Sequence, residues 1–106
     1  MRIENIYEHN SEELRSRIDK FIDSLQSLQF PGGISVSNIS KKWQGDRMPF
    51  SFNVAKSFFS TNISGEVLIS ASKVVLDVNI PKMVSAFVDE GQLKTIIQKK
   101  MDDILT

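Results

Sequence analysis

The sequence has 106 residues, which is enough for one domain with one hydrophobic core but not for two. Thirteen Lys and Arg residues balance thirteen Asp and Glu residues, so no net charge draws the protein to nucleic acid or to an anionic membrane. Cysteine is absent, which excludes disulfides and sulfur metal sites, and no apolar run approaches the roughly 20 residues that span a bilayer. We therefore expect one domain over residues 1–106, without a transmembrane segment, in the cytoplasm.

The first predicted elements are a short strand and a helix. Residues 2–7 alternate weakly between apolar and polar side chains and predict the strand. Asn10, followed three residues later by Glu13, favours a capped helix start, and Pro31-Gly32-Gly33 lies beyond its end. Apolar residues then recur at steps of three and four, which places them on one helix face: Leu14, Ile18, Phe21, Ile22, Leu25 and Leu28.

Four further strands follow the glycines, because the apolar period changes to two. The first runs from Ile34 to Trp43, with an irregularity near Asn38. Gln44-Gly45-Asp46 is typical of a hairpin turn. The other three strands are predicted over residues 48–54, 63–69 and 74–80.

The opposite face of these strands is mostly polar: Ser35, Ser37, Ser51, Asn53, Ser64, Glu66, Asp77 and Asn79. A sheet with one polar face needs a cover on its apolar face, which only the first helix and the C-terminal segment can provide. We therefore predict an α+β fold: a two-layer sandwich with an antiparallel sheet of about four to five strands and helices on one face, in the order β-α-β-β-β-β-α.

The C-terminal segment has an apolar helical stripe with a predicted kink or break near Asp89-Glu90-Gly91. The stripe consists of Met83, Phe87, Leu93, Ile96, Ile97, Met101, Ile104 and Leu105.

No set of side chains has the spacing that a known chemistry requires. His9 is the only histidine, so no histidine pair can bind a metal ion, and no Gly-x-Ser-x-Gly motif supports a serine nucleophile. One basic and aromatic cluster, Lys41-Lys42-Trp43 with Arg47, is too little to indicate a nucleic-acid interface. We therefore expect no catalytic residue, metal site, cofactor or nucleic-acid partner. An enzyme that uses His9 with Asp46 is the least favoured alternative.

Motifs spread over nearly the whole chain resemble those of one family. They are His9 before the first helix, Trp43-x-Gly45-Asp46, Met48-x-Phe50-x-Phe52, Ser64-Gly65-x-Val67, Val74-x-Leu76-x-Val78-x-Ile80-Pro81 and Met101-Asp102-x-x-Leu105. Together they resemble the bacterial polyhydroxyalkanoic acid system family. The resemblance implies an association with polyester storage granules and supplies no catalytic residues. His9, Trp43, Gly45 and Asp46 are therefore family-pattern positions only.

The resemblance leads to the first functional hypothesis, a non-enzymatic accessory protein associated with polyhydroxyalkanoate granules. It would act by surface binding or assembly, with the granule surface or another protein as its partner, and a homo-oligomer is compatible with this role. Exposed apolar side chains could adsorb to such a partner. The candidates are Phe58, Phe59, Leu68 and Val75.

The alternative hypothesis is a small-ligand binding module. In it the C-terminal helix lies across the sheet and a glycine in the sheet leaves room beneath the helix. The predicted pocket is lined by Phe52, Gly65, Leu76 and Ile97.

Overall fold

The computed structural model describes residues 1–106 and shows one five-stranded antiparallel sheet with helices on one face. The strands are β1 (Arg2–Ile6), β2 (Ser35–Lys41), β3 (Arg47–Lys56), β4 (Phe59–Ser70) and β5 (Lys73–Asn79). The helices are α1 (Ser11–Ser24), α2 (Lys82–Ser85) and α3 (Glu90–Leu105). The strands lie side by side in the order β1-β5-β4-β3-β2, so the predicted α+β fold and its order of elements are confirmed.

Helix α1 begins at the predicted cap. The side-chain oxygen of Asn10 accepts a hydrogen bond of 2.8 Å from the backbone N–H of Glu13, one of the N–H groups without a partner inside the helix. The predicted apolar face packs on the sheet through Leu14, Ile18, Phe21 and Ile22, all buried. The helix ends in a 3₁₀ turn over Leu25–Ser27.

The predicted break in the C-terminal segment is confirmed, since α2 and α3 are separate helices. Asp89 caps α3, because its Oδ1 atom accepts a 2.8 Å hydrogen bond from the backbone N–H of Gly91. Helices α1 and α3 pack side by side, and the Arg17 guanidinium donates a 2.9 Å hydrogen bond to the carbonyl oxygen of Ile104. Thus the last turn of α3 is fixed against α1.

Three two-residue hairpin turns connect β2 to β5. In each turn the first residue has a positive φ: +64° at Gly45, +52° at Ser57 and +55° at Ala71. Glycine adopts this conformation without strain, whereas serine and alanine do so rarely. The predicted irregularity in β2 is a register shift between Ser37 and Ser40, where Asn38 has a φ of +53°.

One hydrophobic core lies between the sheet and the helices. It contains twenty buried residues: Tyr7 after β1, Leu25 of the 3₁₀ turn, and eighteen from β1, β3, β4, β5 and the three helices. Gly65 of β4 borders this core, and an added Cβ would be 2.5 Å from the Asp77 carbonyl oxygen and 2.7 Å from the Phe50 Cζ atom. The space at Gly65 is therefore filled by the cross-strand Phe50 ring.

Candidate functional site

Three family-pattern residues, Trp43, Gly45 and Asp46, attach the β2–β3 hairpin to α1. The Trp43 indole N–H donates to Oδ1 of Asp19 at 3.1 Å, and the Arg15 guanidinium donates to Oδ1 of Asp46 at 2.6 Å. The Arg15 guanidinium carbon also lies 5.8 Å from the centroid of the Trp43 ring. Gly45 supplies the positive φ of the turn. These contacts account for the three residues by packing and turn geometry.

The fourth family-pattern residue, His9, lies beside the end of α3. Its Nε2 atom is 2.9 Å from the carbonyl oxygen of Leu105. Nearby, the Tyr7 hydroxyl donates a 2.6 Å hydrogen bond to Asp102, and burial, helped by this bond, raises the pKa of the phenol well above its ordinary value. No hydrogen bond links His9 to Asp46, so the structure gives the His9–Asp46 enzyme alternative no support.

A small apolar cavity lies where the pocket of the alternative hypothesis was predicted. Phe52, Leu76 and Ile97 are among its fourteen hydrophobic lining residues, whereas Gly65 is not, because Phe50 fills the space beside it. The cavity volume is about 50 Å³. Pockets for drug-sized ligands are roughly 300–1,000 Å³, so this cavity would have to widen to take such a molecule. The ligand-binding alternative stays a prediction.

An apolar surface lies at the tip of the β3–β4 hairpin. Phe58, in the two-residue turn, is fully exposed, and in the α2 segment Met83 and Phe87 are 55% and 53% exposed. The Phe59 and Phe87 rings contact each other with centroids 5.6 Å apart, which joins the hairpin to the α2 segment. We call Phe58, Phe59, Met83 and Phe87 the apolar tip.

The four apolar candidates from the sequence differ in their exposure. Phe58 is exposed as predicted, and Phe59 is half-buried against Phe87. Val75, with 7% of its surface exposed, is wrong as a surface candidate, and its cross-strand neighbour Leu68 is half-buried. The two residues lie in one cross-strand row between Arg47 and Glu4, and the stem of a long side chain can cover an apolar neighbour.

The outer face of the sheet is divided by charge. Two adjacent cross-strand rows at one end carry Arg2, Glu4, Arg47, Glu66 and Asp77, with ion pairs such as Arg2–Glu4 at 2.7 Å and Arg47–Glu66. The three rows nearer the apolar tip contain no ionisable side chain, and we call them the polar half-face. They consist of Ser35, Ala55 and Ser60, then Ser37, Asn53 and Asn62, and then Ser40, Ser51, Ser64 and Asn79.

Comparisons with known proteins give one match. The model of a family described as "Putative polyhydroxyalkanoic acid system protein" matches residues 1–105. No curated protein matches the chain, and no solved structure does. The helices are all too short or too polar to cross a membrane. Since the family match covers nearly the whole chain, as the sequence motifs predicted, this chain belongs to the polyhydroxyalkanoic acid system protein family.

Proposed function

We propose that this protein is a non-enzymatic accessory protein of polyhydroxyalkanoate storage granules, which binds the granule surface through the apolar tip. Membership of the polyhydroxyalkanoic acid system family supports the granule as the partner. The observation that carries the proposal is the position of Phe58, which is fully exposed at the end of a hairpin. On this proposal the protein acts in the cytoplasm, at the surface of the granules.

The physical basis is the removal of apolar surface from water. An aromatic side chain gains about 1.5–3 kcal/mol when it is fully transferred from water to an apolar surrounding. Phe58, Met83 and Phe87 are the large apolar side chains left exposed at this end of the molecule. The contact between the Phe59 and Phe87 rings brings the α2 segment to this hairpin, so a polyester surface that adsorbs here can cover exposed apolar surface of both.

Two lysine residues border the apolar tip. The Lys56 ammonium group is 5.3 Å from the centroid of the Phe87 ring, and Lys82 begins helix α2. A long lysine stem can lie on an apolar surface while its charge stays in water. Lys82 can therefore border a bound polyester with its charge in water, whereas the Lys56 ammonium group must move off the Phe87 ring before a polyester covers that ring.

The direct test is co-sedimentation of the purified protein with amorphous poly(3-hydroxybutyrate) granules. Phe58→Ser should reduce the affinity by about 10-fold or more, since roughly 1.5–3 kcal/mol of apolar transfer is lost. Phe58 is fully exposed and supports no core contact, so the variant should keep the stability of the wild type.

The matched control is Ile6→Ser. Ile6 is also an exposed apolar residue, with 73% of its surface accessible, but it pairs with Lys73 at the opposite end of the sheet. Ile6→Ser should sediment with granules as the wild type does. Wild-type protein that stays in the supernatant, or equal losses in both variants, would contradict the proposal.

A further inference from the structure

We infer that the polar half-face recognises the polyester itself, by donating hydrogen bonds to ester carbonyl groups while the apolar tip is adsorbed. This inference rests on the proposed function and names the chemistry that the granule must offer. An aliphatic polyester exposes carbonyl acceptors and hydrocarbon, with no hydrogen-bond donor and no charge along the chain. A complementary protein surface therefore has many donors and no ionised group.

The first support is the distribution of charge over the outer face of the sheet. Moving an ionised side chain from water to a surface of low dielectric constant is costly, whereas a hydroxyl or amide can be moved if it finds a hydrogen-bond partner. The two rows that end in Arg2 and Glu4 are charged and cannot lie on a polyester cheaply. The polar half-face has no ionisable residue in three successive rows, so it is the part of the sheet that can lie on a polyester at low cost.

The second support is the number of donors without a partner inside the protein. In the polar half-face the Asn62 amide donates to the Asn53 side chain at 3.1 Å, and the Ser35 hydroxyl is 3.5 Å from the Ala55 carbonyl oxygen. The other serine hydroxyls of the half-face make no side-chain hydrogen bond within the protein. They point away from the helices and are free to donate to an external acceptor.

The third support is continuity with the apolar tip. The row of Ser35, Ala55 and Ser60 is followed along β3 and β4 by the turn that contains Phe58. A polyester surface that lies on the hydroxyl rows therefore meets Phe58 at the end of the same hairpin, whereas Met83 and Phe87 lie in the α2 segment, on the helix side of the sheet. No helix covers the hydroxyl rows, because the helices pack on the other face of the sheet.

The experiment compares two kinds of bare particle, poly(3-hydroxybutyrate) and polyethylene. Polyethylene offers a hydrocarbon surface and has no carbonyl acceptor. A triple variant, Ser37→Ala with Ser60→Ala and Ser64→Ala, removes three donors and adds no charge. It should bind polyester about fivefold more weakly than the wild type and polyethylene at least as well, since the lost groups are useful only where acceptors are present.

A charge variant with a matched control completes the test. Asn62→Asp puts a carboxylate into the polar half-face and should lower the affinity for polyester by about 10-fold or more. Ser70→Asp puts the same charge on an exposed residue at the far end of β4 and should leave binding unchanged. Urea unfolding of each variant checks that the fold is kept.

The outcomes separate this inference from the proposed function. If Phe58→Ser loses binding to both particles while the triple variant binds polyester like the wild type, the apolar tip is the whole surface and the inference is wrong. If the triple variant loses affinity for both particles equally, the inferred recognition of carbonyl groups is also wrong. If wild-type protein binds neither particle, the proposed function itself fails.

Discussion

Residue 65 must be a glycine, because two neighbouring groups occupy the position that a Cβ atom would take: this is Gly65 of β4. An added Cβ would be 2.5 Å from the Asp77 carbonyl oxygen, a backbone atom of the adjacent strand that cannot move alone. We therefore expect Gly65→Ala to lower the free energy of unfolding by about 3 kcal/mol, at the upper end of overpacking costs. Urea denaturation of the two proteins measures this difference.

A second substitution separates the two contacts at Gly65. The Phe50 Cζ atom would be 2.7 Å from the new Cβ, and Phe50→Leu removes it while the Asp77 carbonyl remains. In the Phe50→Leu background, Gly65→Ala should therefore cost less than in the wild type but more than zero. Equal costs in both backgrounds would show that the ring does not contribute to the requirement for glycine.

At the scale of elements, the sequence predicts a hairpin well where its turn contains glycine. Gly45 occupies the positive-φ position of the β2–β3 turn, and this turn was predicted. The β3–β4 turn has Ser57 in the same position, a residue that favours turns only weakly and rarely adopts a positive φ, and Phe58 after it, so the first residues of β4 were not predicted. The apolar tip lies at this unpredicted turn.

The exposure of the α2 segment could not be predicted from its periodicity. Met83 and Phe87 fit the same apolar stripe as the buried residues Leu93 and Met101, which predicts that all four pack on the core. Helix α2 is only four residues long, however, and the chain turns before α3 begins at Glu90. Spacing along the chain shows which residues share a face, but not where a short helix ends against the sheet.

The cavity between the sheet and α3 should tolerate one more methylene group. Val54 lines it, so Val54→Ile should raise the free energy of unfolding by about 0.5–1 kcal/mol through added apolar contact. Val74 is fully buried and does not line the cavity, so the matched variant Val74→Ile should lower it by about 1–3 kcal/mol. Urea denaturation measures both. Destabilisation by both variants would mean that the cavity is not available for filling.

At the scale of the whole molecule, the two ends of the sheet have different roles. The end at Tyr7 and His9 joins β1, α1 and α3 through hydrogen bonds to Asp102 and Leu105. The other end carries the apolar tip and few such bonds. The contacts that stabilise the fold and the proposed granule-binding surface therefore lie at opposite ends of a molecule 42 Å long, and substitutions at one end should leave the other unchanged.

The stabilising end makes the folding equilibrium depend on pH above about 10, where an unperturbed tyrosine titrates. Tyr7 is the only tyrosine, it is 4% exposed, and burial with the Asp102 hydrogen bond raises the pKa of its phenol. Below the unfolded pKa both states keep the proton and the contribution of Tyr7 is fully present. Above it the unfolded chain loses the proton that the folded protein retains, so stability falls as pH rises, by about 1.4 kcal/mol per pH unit.

Urea denaturation between pH 9 and about pH 11.5, with wild type and Tyr7→Phe, isolates this effect, because the unperturbed tyrosine pKa lies within that range. Every other ionisable side chain is common to both proteins, so its contribution cancels in the difference. The wild type should lose stability more steeply than Tyr7→Phe above pH 10, and phenolate absorbance should appear in step with unfolding, since Tyr7 is the only source of that signal. Parallel pH profiles, or phenolate absorbance at pH values where the protein is still folded, would show that the Tyr7–Asp102 contact does not hold the phenol in its neutral form.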